Sequence, residues 1–271
     1  MGLRVNTNLF SLNAQRNLSD VSERLSGNFS RLSSGLRIAS ASDDAAGLGI
    51  SERLRAQVRS LNQAGRNTQD GISLVQTAEG ALGEVNSNLV RARELAVQAA
   101  NGTLSTGDRA SLNTEFSAIV TEINRVAGET NFNGNALLNT TGAVNIQIGI
   151  DSGNTIAVSR VDTTASTLGI GSSSLTSASA ASTAIGALDT AIDSVTTARG
   201  SLGAVQNTLQ SVSRSIAATS ENLSAAESRI RDVDVALETA DLTRNSILQQ
   251  ASLSVLSQAN VQPQLALSLI G

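Results

Sequence analysis

The sequence feature that most constrains the fold is a regular series of apolar and small residues between Val58 and Ala99. Its members lie alternately three and four residues apart, at positions 58, 61, 65, 68, 72, 75, 78, 82, 85, 89, 92, 96 and 99. Such a heptad seam keeps one face of a long helix against a partner helix. Two successive steps of three, at Ile72, Val75 and Ala78, predict local overwinding. The chain is therefore expected to contain long helices packed along their length.

A second seam of the same kind lies in the last third of the chain. Its members are Ile185, Leu188, Ile192, Val195, Ala198, Leu202, Val205, Leu209, Val212 and Ile216. Because it repeats the paired three-residue steps, we expect its helix to lie beside the first. A further amphipathic pattern covers residues 1–38, and the second seam continues to Ala240. These patterns predict a mainly α fold, a long antiparallel helical coiled-coil bundle.

Between the two seams the period of the pattern changes. Val144, Ile146, Ile148 and Ile150 alternate with other residues, and Ile156 begins a second alternating run after a turn. This pattern predicts a small β-hairpin near residues 144–161. Residues 162–180 are almost entirely Ser, Thr, Ala and Gly, which are too poor in large apolar groups to build a domain. We interpret them as a loop.

The stretch between the first two helical patterns carries signals that end one helix and begin another. Gly35 is a helix stop, and Ser40 and Ser42 offer capping oxygens. Asp43 and Asp44 follow them, and negative charge is favourable at a helix N-terminus. The stretch is therefore predicted to be a joint between two helical domains.

We place the interdomain joint at Asp43, Asp44 and Gly47. The helical patterns on either side of it define two predicted domains. They are a discontinuous terminal coiled-coil domain, residues 1–44 plus 231–271, and a helical rod domain, residues 45–230, which includes the hairpin and the loop.

The residue inventory excludes most catalytic chemistry. The chain has no His and no Cys, which rules out catalytic triads, thiol nucleophiles and ordinary zinc sites. Asp43 and Asp44 offer ligands for a hard cation, but a helix N-terminus explains the pair. The glycines at 47 and 49 do not form a phosphate loop, because no strand precedes them and no Lys follows. We predict no catalytic residues, no cofactor and no metal: the protein is not an enzyme.

The charge and hydropathy patterns exclude two further classes of partner. The net charge is −4 and basic residues are not clustered, so the sequence has no nucleic-acid footprint. A membrane-spanning helix needs about 18 consecutive apolar residues. No apolar run in the sequence approaches this length, so we expect no membrane insertion. The N-terminus also lacks the regions of a cleaved signal peptide, so an exported chain would use another route.

Motifs at both ends resemble one family. The run R-L-S-S-G-L-R-I at 31–38, followed by S-D-D-A-A-G-L-G-I at 42–50, resembles the most characteristic block of bacterial flagellins. The start S-L-N-A-Q-R-N-L at 11–18 and the C-terminal I-L-Q-Q-A at 247–251 are similar to flagellin ends. The resemblance covers nearly all of the chain except about 162–180, where the family inserts variable outer domains. One departure is Ser42, where a Lys is expected.

The resemblance implies a structural subunit that polymerises into the bacterial flagellar filament. It implies type III export and a secreted, extracellular location. The implied partners are other copies of the chain, a flagellar export chaperone, the filament cap and the hook–filament junction proteins. In such a polymer the terminal domain would form the inner tube. The expected residues of this polymer core are Leu9, Leu12, Leu18, Val21, Leu25, Leu32, Leu36, Leu256, Leu265, Leu267 and Leu269.

Residues 89–98 resemble the flagellin segment bound by the vertebrate Toll-like receptor that senses flagellin. Carried over residue by residue, the principal contacts are Arg91, Leu95 and Glu115. The same face is expected to pack against the next subunit along a protofilament.

Two alternatives stay open at the level of sequence. A hook–filament junction protein shares the terminal helices, but it would have a longer middle and a weaker match to the quoted blocks. A secreted coiled-coil translocator or adhesin would carry a membrane-active apolar stretch, which the sequence lacks.

Overall fold

The computed structural model describes the backbone of residues 7–268 and the side chains of residues 7–262. This part of the chain contains five helices: α1 (Leu9–Ser34), α2 (Ala45–Ala100), α3 (Thr106–Glu129), α4 (Ala178–Arg231) and α5 (Val235–Ser268). It also contains four short strands: β1 (Asn131–Phe132), β2 (Asn135–Ala136), β3 (Gly142–Gln147) and β4 (Thr155–Arg160). The predicted mainly α fold with a small β-hairpin is confirmed.

The chain divides into two compact units. We call Gln57–Glu221 the central unit, and the residues up to Ala56 together with those from Asn222 onwards the terminal unit. Helices α2 and α4 each contribute residues to both. The division of the domains at residues 44 and 231 stays a prediction.

The core of the central unit follows the two predicted seams. From position 68 onwards every predicted position of the first seam is buried, and Val58 and Gly65 are half-buried. On α4, Leu188, Val195 and Leu202 are buried in the same core. The core is larger than the seams, because α3 and the loops cover a further face of α2. On α2 and α4, the buried residues outside the two seams include Ala64, Leu74, Leu95, Ala181, Ala184 and Ala191.

Two hairpins follow α3. In the first, Asn133 and Gly134 have φ values of 50° and 79°, the left-handed conformation that a two-residue type I′ turn needs. In the second, β3 pairs antiparallel with β4, with Ile146 opposite Ile156. A Cβ at Gly71 would lie 3.2 Å from Ile146, so β3 approaches α2 where that helix has no side chain. The predicted hairpin is confirmed, with strands that start and end within a few residues of the predicted limits.

The Ser- and Thr-rich segment before α4 has no helix or strand, but it is fixed to the core. Its few apolar side chains are buried, among them Leu168, Ile170 and Leu175. The side-chain oxygen of Asn113 on α3 accepts a hydrogen bond from the Leu175 amide at 2.7 Å, and Asn124 does the same for Ala165 at 2.9 Å. The loop ends where α4 begins, at Ala178, rather than at residue 180.

In the terminal unit, α1 packs against α5. Residues near the start of α1 contact the far part of α5, and Asn28 contacts its beginning, so the two helices are antiparallel. Helix α1 ends at Ser34 because Gly35 adopts a left-handed φ of 73° and its amide donates to the Arg31 carbonyl. The helix is therefore shorter than the predicted 1–38, and residues 1–6 lie outside the described part.

Candidate assembly surfaces

Exposed apolar side chains are concentrated on the terminal unit. Of the fifteen exposed large apolar residues in the described part of the chain, twelve belong to this unit. On α1 they are Leu9, Phe10, Leu12 and Phe29, on α5 they are Val235, Leu237, Ile247, Leu248, Leu253, Val255 and Val261, and the twelfth is Ile50 on α2. Patches of apolar surface on a soluble chain mark sites of interaction with another molecule.

Six of the eleven expected polymer-core residues fall into two groups. Leu9 and Leu12 are exposed, as an intersubunit contact requires. Another group is half-buried on the stripe of α1 that contacts α5: Leu18, Val21, Leu25 and Leu32. Part of each of these side chains is still exposed, so their place in the polymer core stays a prediction.

The remaining expected residues have mixed outcomes. Leu36 and Leu256 are half-buried as well. Leu265 and Leu267 lie on α5 but their side chains are outside the described part, as is all of Leu269. The sequence reasoning missed Phe10, Phe29 and the exposed residues of α5. Their exposure depends on which stripe of each helix the partner helix covers.

The joint contains two hydrogen-bonded carboxylates, Asp43 and Asp44, and a glycine, Gly47, that neighbouring side chains approach closely. Asp43 Oδ2 accepts hydrogen bonds from the amides of Ser40 and Ala39 at 2.9 and 3.2 Å. These bonds, chiefly the one from the Ser40 amide, hold the pKa of Asp43 below its ordinary value. Asp44 Oδ1 caps α2 by accepting from the Gly47 amide at 2.8 Å. Asp44 is therefore the capping residue of α2, and the expectation that Ser40 and Ser42 would cap it is wrong.

A Cβ at Gly47 would require neighbouring side chains to move. A Cβ at this position would collide with the Asp44 carboxylate and would lie 2.8 Å from the Ile38 side chain. Beside this contact the two linkers pair with each other. The Arg37 amide donates to the Arg231 carbonyl at 2.7 Å, and the Val233 amide donates to the Gly35 carbonyl at 3.1 Å. In the joint, the two linkers form a short stretch of backbone hydrogen bonds. It lies between the end of α1 at Gly35 and the start of α2, which Asp44 caps.

An exposed ion-pair cluster lies on α2 and α3. Arg91 Nη2 donates to Glu115 Oε1 at 2.8 Å, and its Nη1 donates to Glu94 Oε2 at 3.0 Å. These bonds, that to Glu115 first, raise the pKa of Arg91 above its ordinary value. The structure therefore brings Arg91 and Glu115 together on the surface, and their role as receptor contacts stays a prediction.

Leu95 does not join this cluster on the surface. Its side chain is 1% exposed and lies in the core of the central unit, so we exclude it as a surface contact. Val90 and Val97 are 43% and 49% exposed on the same helix, and the sequence reasoning missed both. Both residues lie at positions outside the seam. That placement was the only signal in the sequence that they would be exposed.

The interface of α1 and α5 also contains buried polar groups. Asn28 and Glu238 are each 7% exposed. Asn28 Nδ2 donates to Glu238 Oε1 at 2.6 Å, and Asn245 Nδ2 donates to Asn28 Oδ1 at 2.9 Å. A groove of about 550 Å³, lined in part by Asn28 and Asn245, lies beside them.

Within the described residues, no group of three or more acidic side chains is placed to hold a metal ion. In the same part of the chain, no helix is both long and apolar enough to cross a membrane.

The chain matches two family models that together cover most of it. The bacterial flagellin N-terminal helical region matches residues 5–143, and the bacterial flagellin C-terminal helical region matches residues 185–270. A flagellin of Halalkalibacterium halodurans is 48% identical over 269 residues, which are 98% of this chain and 99% of the relative. A flagellin of Salmonella muenchen is 48% identical over 166 residues, or 61% of this chain and 33% of the relative. The chain thus matches about a third of the length of that longer relative.

Two solved structures are similar to this chain. The crystal structure of Bacillus cereus flagellin has a TM-score of 0.52 and 38% identity, and the match covers 60% of this chain and 94% of that one. A putative flagellar hook-associated protein from Vibrio parahaemolyticus has a TM-score of 0.60, covering 70% of this chain and 100% of that one. Its identity is 15%, so this second likeness concerns the fold alone.

Proposed function

Because this chain belongs to the bacterial flagellin family, we propose that the exposed apolar residues of α1 and α5 join neighbouring subunits in the polymer that it builds. The chain is a structural subunit of the bacterial flagellar filament, and its activity is assembly rather than catalysis. In a helical polymer each subunit makes head-to-tail contacts that do not close into a ring, so one surface of a subunit meets a different surface of the next.

The observation that carries this proposal is the uneven distribution of exposed apolar side chains. The terminal unit holds twelve of the fifteen in the described chain. Moving a large apolar side chain fully out of water contributes about 1.5–3 kcal/mol. Covering the exposed part of several of them in a neighbouring subunit therefore favours association.

A pair of adjacent residues on α1 tests the proposal. Phe29 is 57% exposed, and Ser30 beside it is also exposed. We expect Phe29→Asp to reduce seeded polymerisation at least tenfold, because a carboxylate replaces an apolar contact that the neighbour would bury. Ser30→Asp adds the same charge to the same helix at a polar position, and we expect it to polymerise normally.

Polymerisation is measured by sedimentation and electron microscopy after seeding, and circular dichroism checks that both variants keep their helices. Normal filaments from Phe29→Asp would show that α1 does not use this surface. Loss of filaments in both variants would attribute the effect to charge on α1 rather than to the apolar contact.

We extend the proposal to the route and partners of the chain. The protein leaves the cell by type III export and is found in the extracellular filament. An export chaperone covers apolar residues of α5 before assembly, and the filament cap and hook–filament junction proteins contact the chain in the polymer. The exposure of Ile247, Leu248 and Leu253 supports a covering partner. Immunodetection in separated cells, medium and filaments tests the route, and retention in the cells contradicts it.

We also propose that the Arg91–Glu115 cluster, with the exposed Val90 and Val97, contacts the axial neighbour and a Toll-like receptor of a host. The supporting observation is that α2 exposes two apolar side chains, Val90 and Val97, in the same stretch of helix as the ion-paired Arg91. We expect Arg91→Ala and Glu115→Ala to lower signalling in receptor reporter cells. Arg125→Ala is the matched control, because Arg125 is an exposed, ion-paired arginine on α3. Unchanged signalling by the two cluster variants would contradict the receptor proposal.

A further inference from the structure

The contact between α1 and α5 is a heptad seam with polar residues in it. The buried and half-buried residues of α1 include a series with alternating steps of three and four: Ser11, Ala14, Leu18, Val21, Leu25, Asn28 and Leu32. Helix α5 carries a matching series: Glu238, Leu242, Asn245, Gln249, Ser252, Leu256 and Ala259. This is the spacing of two helices in a coiled coil.

Asn28 joins two residues that are one heptad apart. Its amide nitrogen donates to Glu238 Oε1 at 2.6 Å, and its oxygen accepts from Asn245 Nδ2 at 2.9 Å. Arg31 Nη1 lies 4.0 Å from the Glu238 carboxylate. We call Asn28, Glu238 and Asn245 the register cluster.

The apolar residues of such a seam specify the register weakly. Because both series repeat every seven residues, sliding one helix by a heptad again brings seam positions together, and Leu242 and Leu256 of α5 still meet apolar positions of α1. The register cluster, in contrast, loses hydrogen bonds when one helix slides by a heptad. After a slide in either direction, Asn28 would face only one of its two partners, and the other would face seam residues without its hydrogen bond. A buried polar group left unsatisfied costs about 1–3 kcal/mol, and a charged group costs more.

We propose that the register cluster selects the register in which α1 pairs with α5. Buried polar residues have this role in other coiled coils, where they specify pairing at some cost in stability. The inference rests on the proposed function only in this respect: the register decides which apolar side chains of α1 and α5 face a neighbouring subunit.

The absence of cysteine from the chain makes the register directly measurable. Ser11 and Asn260 lie on opposite helices with their side-chain oxygens 2.8 Å apart. The variant Ser11→Cys/Asn260→Cys carries two nitroxide labels, and pulsed electron paramagnetic resonance gives the distance between them. A slide of one heptad moves the labels about 10 Å along the helix axis. Labelled chains are diluted into unlabelled ones, so that only distances within a chain are read.

We expect one short distance in this labelled background. When Asn28→Leu, Glu238→Leu and Asn245→Leu are added together, we expect a second population at a longer distance, because the seam no longer contains the register cluster and the labels of slid helices are offset by about 10 Å along the helix axis. Glu238→Gln preserves an acceptor for Asn28 and should give one short distance. Leu25→Ala weakens the same seam without changing its polar groups, and it should also give one short distance.

A single short distance in the triple variant would overturn the proposal and assign the register to the backbone pairing of the linkers. An equally large second population in Leu25→Ala would also overturn it, since any weakening of the seam would then suffice. If the triple variant loses its helices, Asn28→Leu alone is read by the same criterion. The distances are measured in filaments grown from labelled chains in a large excess of unlabelled parent chains, where α1 and α5 are assembled. If the parent chain forms no filaments, the proposed function fails, and the distances are read by the same criteria in the unassembled chain.

Discussion

Two neighbouring residues of α2 provide a sharp test of where the core ends and the surface begins. Leu89 is 0% exposed and belongs to the core of the central unit, whereas Val90 beside it is 43% exposed. Leu89→Ala removes three buried carbon atoms and leaves a cavity. Core Leu→Ala changes cost about 2.7–5 kcal/mol, depending on how far the surroundings relax. Because long helices pack around this site, we expect little relaxation and a loss of about 3–4 kcal/mol.

The control removes side-chain atoms at the adjacent position. Val90→Ala removes exposed atoms and places a better helix former in α2, so we expect a change within about 0.5 kcal/mol. The chain has no Trp or Tyr, so unfolding is followed by far-ultraviolet circular dichroism in urea rather than by fluorescence. In thermal unfolding, 1 kcal/mol corresponds to roughly 2–4 °C for a unit of this size. Leu89→Ala should therefore melt roughly 6–16 °C lower.

Two outcomes would refute this reasoning. A loss below about 1 kcal/mol for Leu89→Ala would mean that the seam of α2 is not packed as a core. A similar loss for Val90→Ala would mean that the outer face of α2 is covered within the subunit. That second outcome would also remove Val90 from the proposed contact with a neighbour or receptor.

Two further predictions concern the joint and the acidic residues. We expect Gly47→Ala to destabilise the start of α2 by about 1–3 kcal/mol, because the added Cβ meets the Asp44 carboxylate and Ile38. Amide hydrogen exchange at residues 38–50 measures the loss of stability. Exchange rates equal to those of the parent chain would contradict the prediction. The pKa values of Asp43, Asp108 and Asp189 are lowered in the folded chain, chiefly by hydrogen bonds from the Ser40 amide, the Ser105 hydroxyl and Arg93 respectively. Their contribution to stability is therefore complete above the ordinary value of 3.8 and is lost as the pH falls through the lowered values. The melting temperature should therefore decrease as the pH is lowered through this acid range. A melting temperature that stays constant would contradict the prediction.

The sequence alone determined the elements and the faces of the helices. The seams on α2 and α4 were readable because a helix repeats every 3.6 residues, so residues three and four apart share a face. The stop at Gly35 and the hairpin were readable for a similar reason, since both depend on the conformation of a few adjacent residues. The family resemblance was readable from motifs that are continuous in the chain.

Only the tertiary structure decided which partner covers each face. Periodicity places Leu18 and Leu25 on one stripe, but it does not say whether α5 or another subunit packs against it. Leu95 is buried because more than one side of α2 is covered, which no local pattern records. Asn28 and Glu238 are 210 residues apart in the chain, and each alone resembles an ordinary polar residue of a helix. Their hydrogen bond exists because two distant helices pack in one register, and such a contact is a property of the assembled pair.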